Sequence, residues 1–100
     1  MKFIRITEHT EEFHKSKPEN FDVLLKKHVL WLEEKKKEGK LLDAYLMAGS
    51  DNCSLFIWDF ETAEEIDKIK WEDPIGFTFK DPKVYPAVDV FEHIKHVMLH

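Results

Sequence analysis

The chain has 100 residues, with 20 Asp and Glu against 15 Lys and Arg and a formal charge of −5. That length makes one domain with a modest core, able to remove roughly two-thirds of its unfolded surface from water. The acidic balance disfavours a nucleic-acid partner, which needs a clustered basic face, and no apolar run approaches the ~20 residues that span a bilayer.

Cys53 is the single cysteine, so an internal disulfide framework and a multi-cysteine zinc site are both excluded. The opening MKFIRITEH alternates where a signal peptide carries a continuous apolar block. Both features lead us to expect a cytoplasmic protein.

Residues 2–8 alternate, with Phe3, Arg5 and Thr7 on one side and Ile4 and Ile6 on the other, as in a half-polar strand. After a polar loop, Ser16 and Glu19 have capping-box spacing and Pro18 suits a first helical turn, predicting a helix from about residue 18. Its apolar stripe is Phe21, Leu24, Leu25, His28, Trp31 and Leu32, and Gly39 stops it. The run Lys35-Lys36-Lys37, with Glu33 and Glu34 before it, reads as a solvated helix side with ordinary ion pairs.

Two strands follow at about 41–48 and 53–60, joined by the turn Gly49-Ser50-Asp51-Asn52. Both carry large apolar side chains on both alternations. Thr62 and Glu65 then open a short helix through about Lys70, with Ala63, Ile66 and Ile69 inward. A loop at Asp73-Pro74 leads through an extended IGFTF to a last strand at about 83–90, where Pro86, lacking an N–H, belongs at a sheet edge. The order β-α-β-β-α-β predicts an α+β ferredoxin-like sandwich over residues 1–90, with a C-terminal tail, 91–100, able to form a short helix. Two helices cover only one side of a sheet that is apolar on both. The other side is therefore expected to meet a second subunit or to enclose a ligand cavity.

Arg5, Asp43 and Tyr45 share an odd alternation, and Tyr85 and Asp89 follow similarly on the last strand. On a common face they would form a polar and aromatic floor for a small organic anion; otherwise the acids are exposed strand ends and Arg5 makes a surface ion pair. His28 stands between Leu24 and Leu32 on the helical stripe, which aims an imidazole able to exchange protons near neutrality into the interior. A buried acid such as Asp73 could orient it; the plainer alternative is a packed structural histidine. His93, His96 and His100 share a helical side but lack a fixed carboxylate beyond Glu92, so no metal site is expected. Cys53 and the three tryptophans read as packing residues in the core or an interface. No phosphate loop, dinucleotide glycine pattern or nucleophile elbow occurs.

From Gly39 onward the chain resembles muconolactone isomerase and its relatives in the dimeric α/β-barrel superfamily. The shared features are Gly39-Lys40, Ala48-Gly49, Asn52-x-Ser54-Leu55-Phe56, and Asp81 with Val84 and Pro86, about half of the chain. The resemblance implies a subunit whose sheet pairs with a second subunit's to form a barrel, each pocket holding a ligand, with larger rings of dimers also known in such families. A second resemblance, to YCII-related proteins, lies in His28, eleven residues before Gly39, and in Asp73 before Pro74. It implies that these two form an acid–base pair. Residues 51–54 follow the first pattern and the histidine the second, so neither family's substrate transfers.

The resulting expectation is a homodimeric, cofactor-independent isomerase or related proton-transfer enzyme acting on a small lactone-like or carboxylated molecule. His28 is its acid–base group, Asp73 the orienting partner, and Arg5, Tyr45 and Asp43 hold the substrate. The alternative is a non-catalytic ligand-binding or assembly module of the same fold.

Overall fold

The structure, a computed structural model, describes residues 1–49 and 53–99. Strand β1 (Lys2–Glu8) leads to a five-residue helix α1 (Glu11–Lys15) and the long helix α2 (Phe21–Lys37). Strands β2 (Leu41–Leu46) and β3 (Cys53–Asp59) come next, then α3 (Ala63–Glu72), a 3-10 turn at Gly76–Thr78, β4 (Lys83–Ala87) and α4 (Val90–Leu99). The sheet order is β2-β3-β1-β4 with every pairing antiparallel, the ferredoxin-like arrangement. β4 lies at an edge, where Pro86 removes no ladder bond from a central strand. The three final residues of the expected 49–52 turn, among them the Asn52 of the resemblance, and His100 lie outside the described residues.

Helices α2 and α3 cover one face of the sheet. Phe3, Leu41, Phe56, Trp58 and Phe60 pack there against Ile66 and Ile69, with Trp31, Leu32 and Val84 closing the periphery. The opposite face carries Ile4, Ile6, Leu55 and Ile57, which are half-buried, and Tyr45 and Tyr85, which are exposed. No residue of α4 is buried, although Phe91, Ile94, Val97, Met98 and Leu99 make it strongly amphipathic. The chain's longest dimension is 56 Å.

Several boundaries differ from expectation for identifiable reasons. The segment after β1 is not simply a polar loop: the Thr10 hydroxyl accepts from the Phe13 N–H at 3.2 Å and caps α1. Ser16 is thereby used to end α1, so the Ser16/Glu19 box does not form, and α2 starts three residues late, at Phe21, with Asn20 before it. At its far end α2 stops as expected. Gly39 takes φ +77°, and the Lys40 and Gly39 N–H groups donate to the Lys35 and Lys36 carbonyls, a complete Schellman closure.

Thr62 accepts from the Glu65 N–H at 3.3 Å and starts α3, which runs two residues past Lys70; Ala63 is exposed rather than inward. The IGFTF segment coils into the 3-10 turn instead of extending, and β4 ends at Ala87, ceding the following residues to α4. Trp71 departs furthest from expectation. It is 82% exposed, on the outer side of α3.

Candidate active site

Strand β1, helix α2 and the end of α3 bring polar groups into a buried region under the helices. On β1, the side that carries Phe3 also carries Arg5 and Thr7, so strand alternation drives a guanidinium and a hydroxyl into the helix-covered layer. On α2, His28 is the one buried residue, at 7% exposure, because it sits at the centre of the stripe facing the sheet. Asp73 is the residue that ends α3. Its own N–H closes the helix on the Ile69 carbonyl, and its extended backbone turns the side chain back beneath α2.

The His28 Nδ1–H donates to Asp73 Oδ1 at 2.6 Å, and the same oxygen accepts the Ile75 N–H at 3.0 Å. A carboxylate has no proton to give, so the imidazole's Nδ1 carries the hydrogen of this bond. This arrangement fixes the orientation of the ring. Gly76 permits the turn. A Cβ there would lie 2.1 Å from the Lys70 carbonyl oxygen, so the chain can fold back under α3 only without a side chain at this position.

Arg5 is 2% exposed, and its Nη2 has no hydrogen-bond partner among the described residues; Thr7 Oγ1 and Trp58 Nε1 are likewise buried without partners. Burial pushes the Arg5 guanidinium below its ordinary pKa, and the negative charge of Asp73 acts in the opposite direction. Arginine stays charged at neutral pH even so. A buried cation with an unmet donor is costly.

Sequence reasoning missed His9. Its ring is stacked between Phe13 and Phe79, with centroids 3.9 and 4.7 Å away, and its Nδ1 lies 3.1 Å from Thr78 Oγ1. The Thr78 hydroxyl donates to the Ile75 carbonyl at 2.7 Å, so it accepts from His9. A series of hydrogen bonds therefore runs His28–Asp73–Ile75–Thr78–His9, with the N–H and the C=O of Ile75, which belong to two successive peptide groups, as its middle links. The alternation of β1 does continue from Phe3 through Arg5 and Thr7 to His9, which was the available signal.

Asp43 and Tyr45 are not part of this region, which corrects the shared floor expected for them with Arg5. A β-bulge between Leu41 and Asp43 shifts the alternation of β2 by one residue. Leu41 stays opposite Trp58 in the core, whereas Asp43 pairs with Ile57 and Tyr45 with Leu55 on the uncovered face. Tyr85, opposite Ile4, is on that uncovered face too, and Asp89 lies beyond the end of β4. Among the described residues, no three His, Cys, Asp or Glu side chains gather as metal ligands, and no helix is long and apolar enough to cross a membrane.

The fold and this buried polar region define an α+β protein of the ferredoxin-like class with a paired histidine and aspartate beneath its helices. Among solved structures, the chain is similar to a 5-chloro-2-hydroxyhydroquinone dehydrochlorinase from Burkholderia phenoliruptrix AC1100, in complex with 2,5-dihydroxybenzoquinone. The TM-score is 0.66 at 18% identity, over 92% of this chain and 98% of that one. An antibiotic biosynthesis monooxygenase is also similar, with a TM-score of 0.52 at 17% identity over 89% of this chain and 100% of the other. At these identities the likeness is one of fold. No protein-family model and no curated protein sequence matches the chain.

Proposed function

We propose that the protein is a cofactor-independent proton-transfer enzyme, an isomerase or a close relative of one, acting in the cytosol on a small lactone-like or carboxylated molecule. The observation that carries this reading is the 2.6 Å contact between His28 and Asp73 in a buried setting. The Nε2 lone pair of His28 takes a proton from carbon beside a carbonyl; the C–H electron pair moves into the new C=C bond and the carbonyl π pair onto oxygen. Arg5 faces the resulting oxyanion, and Asp73 stabilises the imidazolium. The imidazolium then returns its proton to another carbon, which completes an isomerisation with no net redox change. Because the dehydrochlorinase neighbour is in complex with 2,5-dihydroxybenzoquinone, hydroxylated quinones join lactones and enolisable acids as compounds to screen.

A homodimer belongs to this reading. The half-buried Ile4, Ile6, Leu55 and Ile57 and the exposed apolar side of α4 give a second copy two surfaces to cover. Sedimentation velocity at micromolar concentration is expected to show a dimer; a monomer would remove the barrel from the proposal. Rings of dimers would appear there as larger species.

Replacing His28 with Asn is expected to abolish turnover of any substrate found while leaving the fold intact. A folded, fully active variant would remove His28 from the mechanism. The enclosure of His28, only 7% exposed, favours the second reading, a binding or assembly module in which the ring is packed. That module would bind ligand without converting it, in the native chain as in the variant.

A further inference from the structure

Between α3 and β4 a cleft of about 270 Å³ has Arg5 at its base, with Ile66 and Val84 along its walls and Asp67, Lys70, Trp71 and Asp81 toward the solvent. Lys70 Nζ donates to Asp81 Oδ1 at 2.9 Å and lies 5.8 Å from the centre of the Trp71 ring. The cleft thus holds two cations at different depths. The outer cation has a carboxylate partner; the inner one has none at Nη2.

We propose that this cleft is an acid-binding subsite, in which a small aromatic carboxylate displaces Asp81 from Lys70, lays its ring on Trp71 and directs its oxygens at Arg5. The proposal deepens the proton-transfer reading, on which it rests for Arg5's part in holding substrate, and adds Lys70, Trp71 and Asp81 to the residues that set specificity. Asp81 suits the role of a displaceable placeholder. Its side chain is 96% exposed, so on release it returns to water with little lost, since exposed ion pairs contribute little. Arg5 is the reverse case. Its Nη2 is buried without a partner, so a carboxylate oxygen that reaches it meets an unsatisfied charged donor.

The ring preference follows from Trp71. An indole that is 82% exposed beside a cationic rim offers a flat apolar surface to a flat ligand, and the cleft volume matches a single-ring acid better than a drug-sized molecule. Asp67 supplies the opposing charge. With Asp81 displaced, Lys70 is left without its carboxylate and Arg5 keeps only the attraction of Asp73, so an anion is favoured over a neutral molecule.

The test is a titration of the full chain with benzoate, followed by the Trp71 indole N–H and the Arg5 guanidinium N–H in two-dimensional NMR, with neutral benzamide as control. Saturable shifts with benzoate and none with benzamide are expected. Lys70→Met should weaken binding about tenfold, and Asp81→Asn, which removes the competitor, should tighten it several-fold. Both positions are partly or fully exposed, so circular dichroism should show both variants folded. Absence of saturable shifts, equal binding of benzamide, or affinity unchanged in Lys70→Met would overturn the subsite. His28→Asn separates the two readings: benzoate binding retained while turnover is lost supports both. Retained turnover with unchanged benzoate binding refutes the proton-transfer role alone, and turnover lost in His28→Asn but indifferent to Lys70→Met refutes the subsite alone.

Discussion

Replacing Arg5 with Met should make the protein more stable and leave it unable to hold an anion. In the native chain the guanidinium is 2% exposed, and the N–H groups of Nη2 have no partner among the described residues. Each buried unsatisfied polar group costs about 1–3 kcal/mol, and more when charged. Met has similar length and reach, no polar atoms, and enough torsional freedom to fill the same space. Against this gain stands the lost attraction between Arg5 and Asp73, on the order of 1–2 kcal/mol at the effective dielectric of such sites. Asp73 keeps its bonds from His28 and the Ile75 N–H, so the loss does not leave it bare. The net expectation is stabilisation by about 1–2 kcal/mol. For a domain of this size that raises Tm by at least about 4 °C. Calorimetry at pH 7 measures it, with benzoate added in a second series: the native chain's Tm should climb with benzoate and the variant's should not. A lower Tm for Arg5→Met, or an equal response to benzoate, would show that the guanidinium is a structural member of the core and not a receiver of anions.

The other expectations concern the turn and the two imidazoles. Asp73→Asn keeps the shape but replaces the charge that steadies an imidazolium, so turnover should fall by about 10²–10⁴ with a far smaller change in KM; an equal loss in KM would assign Asp73 to substrate binding. Gly76→Ala places a Cβ against the Lys70 carbonyl and should cost about 2 kcal/mol or more in urea denaturation, and an unchanged midpoint would contradict the close approach. For His9, burial first, with repulsion from His14, Lys17 and His28, holds the pKa below its usual 6.5, opposed by Thr78. The folded state therefore binds this proton less readily than the unfolded one, so the contribution is complete above about pH 6.5 and is lost as pH falls through the folded value. His9→Phe retains the stack with Phe13 and Phe79 but cannot titrate, and should flatten the decline of Tm between pH 7 and 5. An unaltered slope would place the acid sensitivity elsewhere.

The parts of this site that could be read from the sequence are those set by local periodicity. His28 falls on the helical stripe whatever α2's first residue is, since a late start removes a turn without rotating the remainder. Arg5 likewise shares the side of Phe3 by strand alternation alone. What alternation could not reveal was which side the helices would cover, and both sequence readings of Arg5, floor residue with Asp43 and Tyr45 or surface ion pair, differ from its place in the core. The deciding residues are Phe3, Phe56 and Trp58, whose combined bulk makes their face the core and carries Arg5 inside with them.

The separation of Arg5 from Asp43 and Tyr45 has a different origin, and it bears on function. A period of two predicts Leu41, Asp43 and Tyr45 on one face, but the bulge inserts one residue and reverses every side chain after it. Without it, Asp43 would point into the helix-covered layer as a second carboxylate there, and the uncovered face would lose Tyr45. The irregularity thus keeps Asp43 out of the buried region, leaving Asp73 the acid beside His28. It also equips the open face with Tyr45 and Tyr85 around its aliphatic centre, a composition suited to covering by a second copy. On this argument, one backbone irregularity in β2 decides what each side of the sheet carries, the buried His28–Asp73 pair under the helices and the two tyrosines on the other.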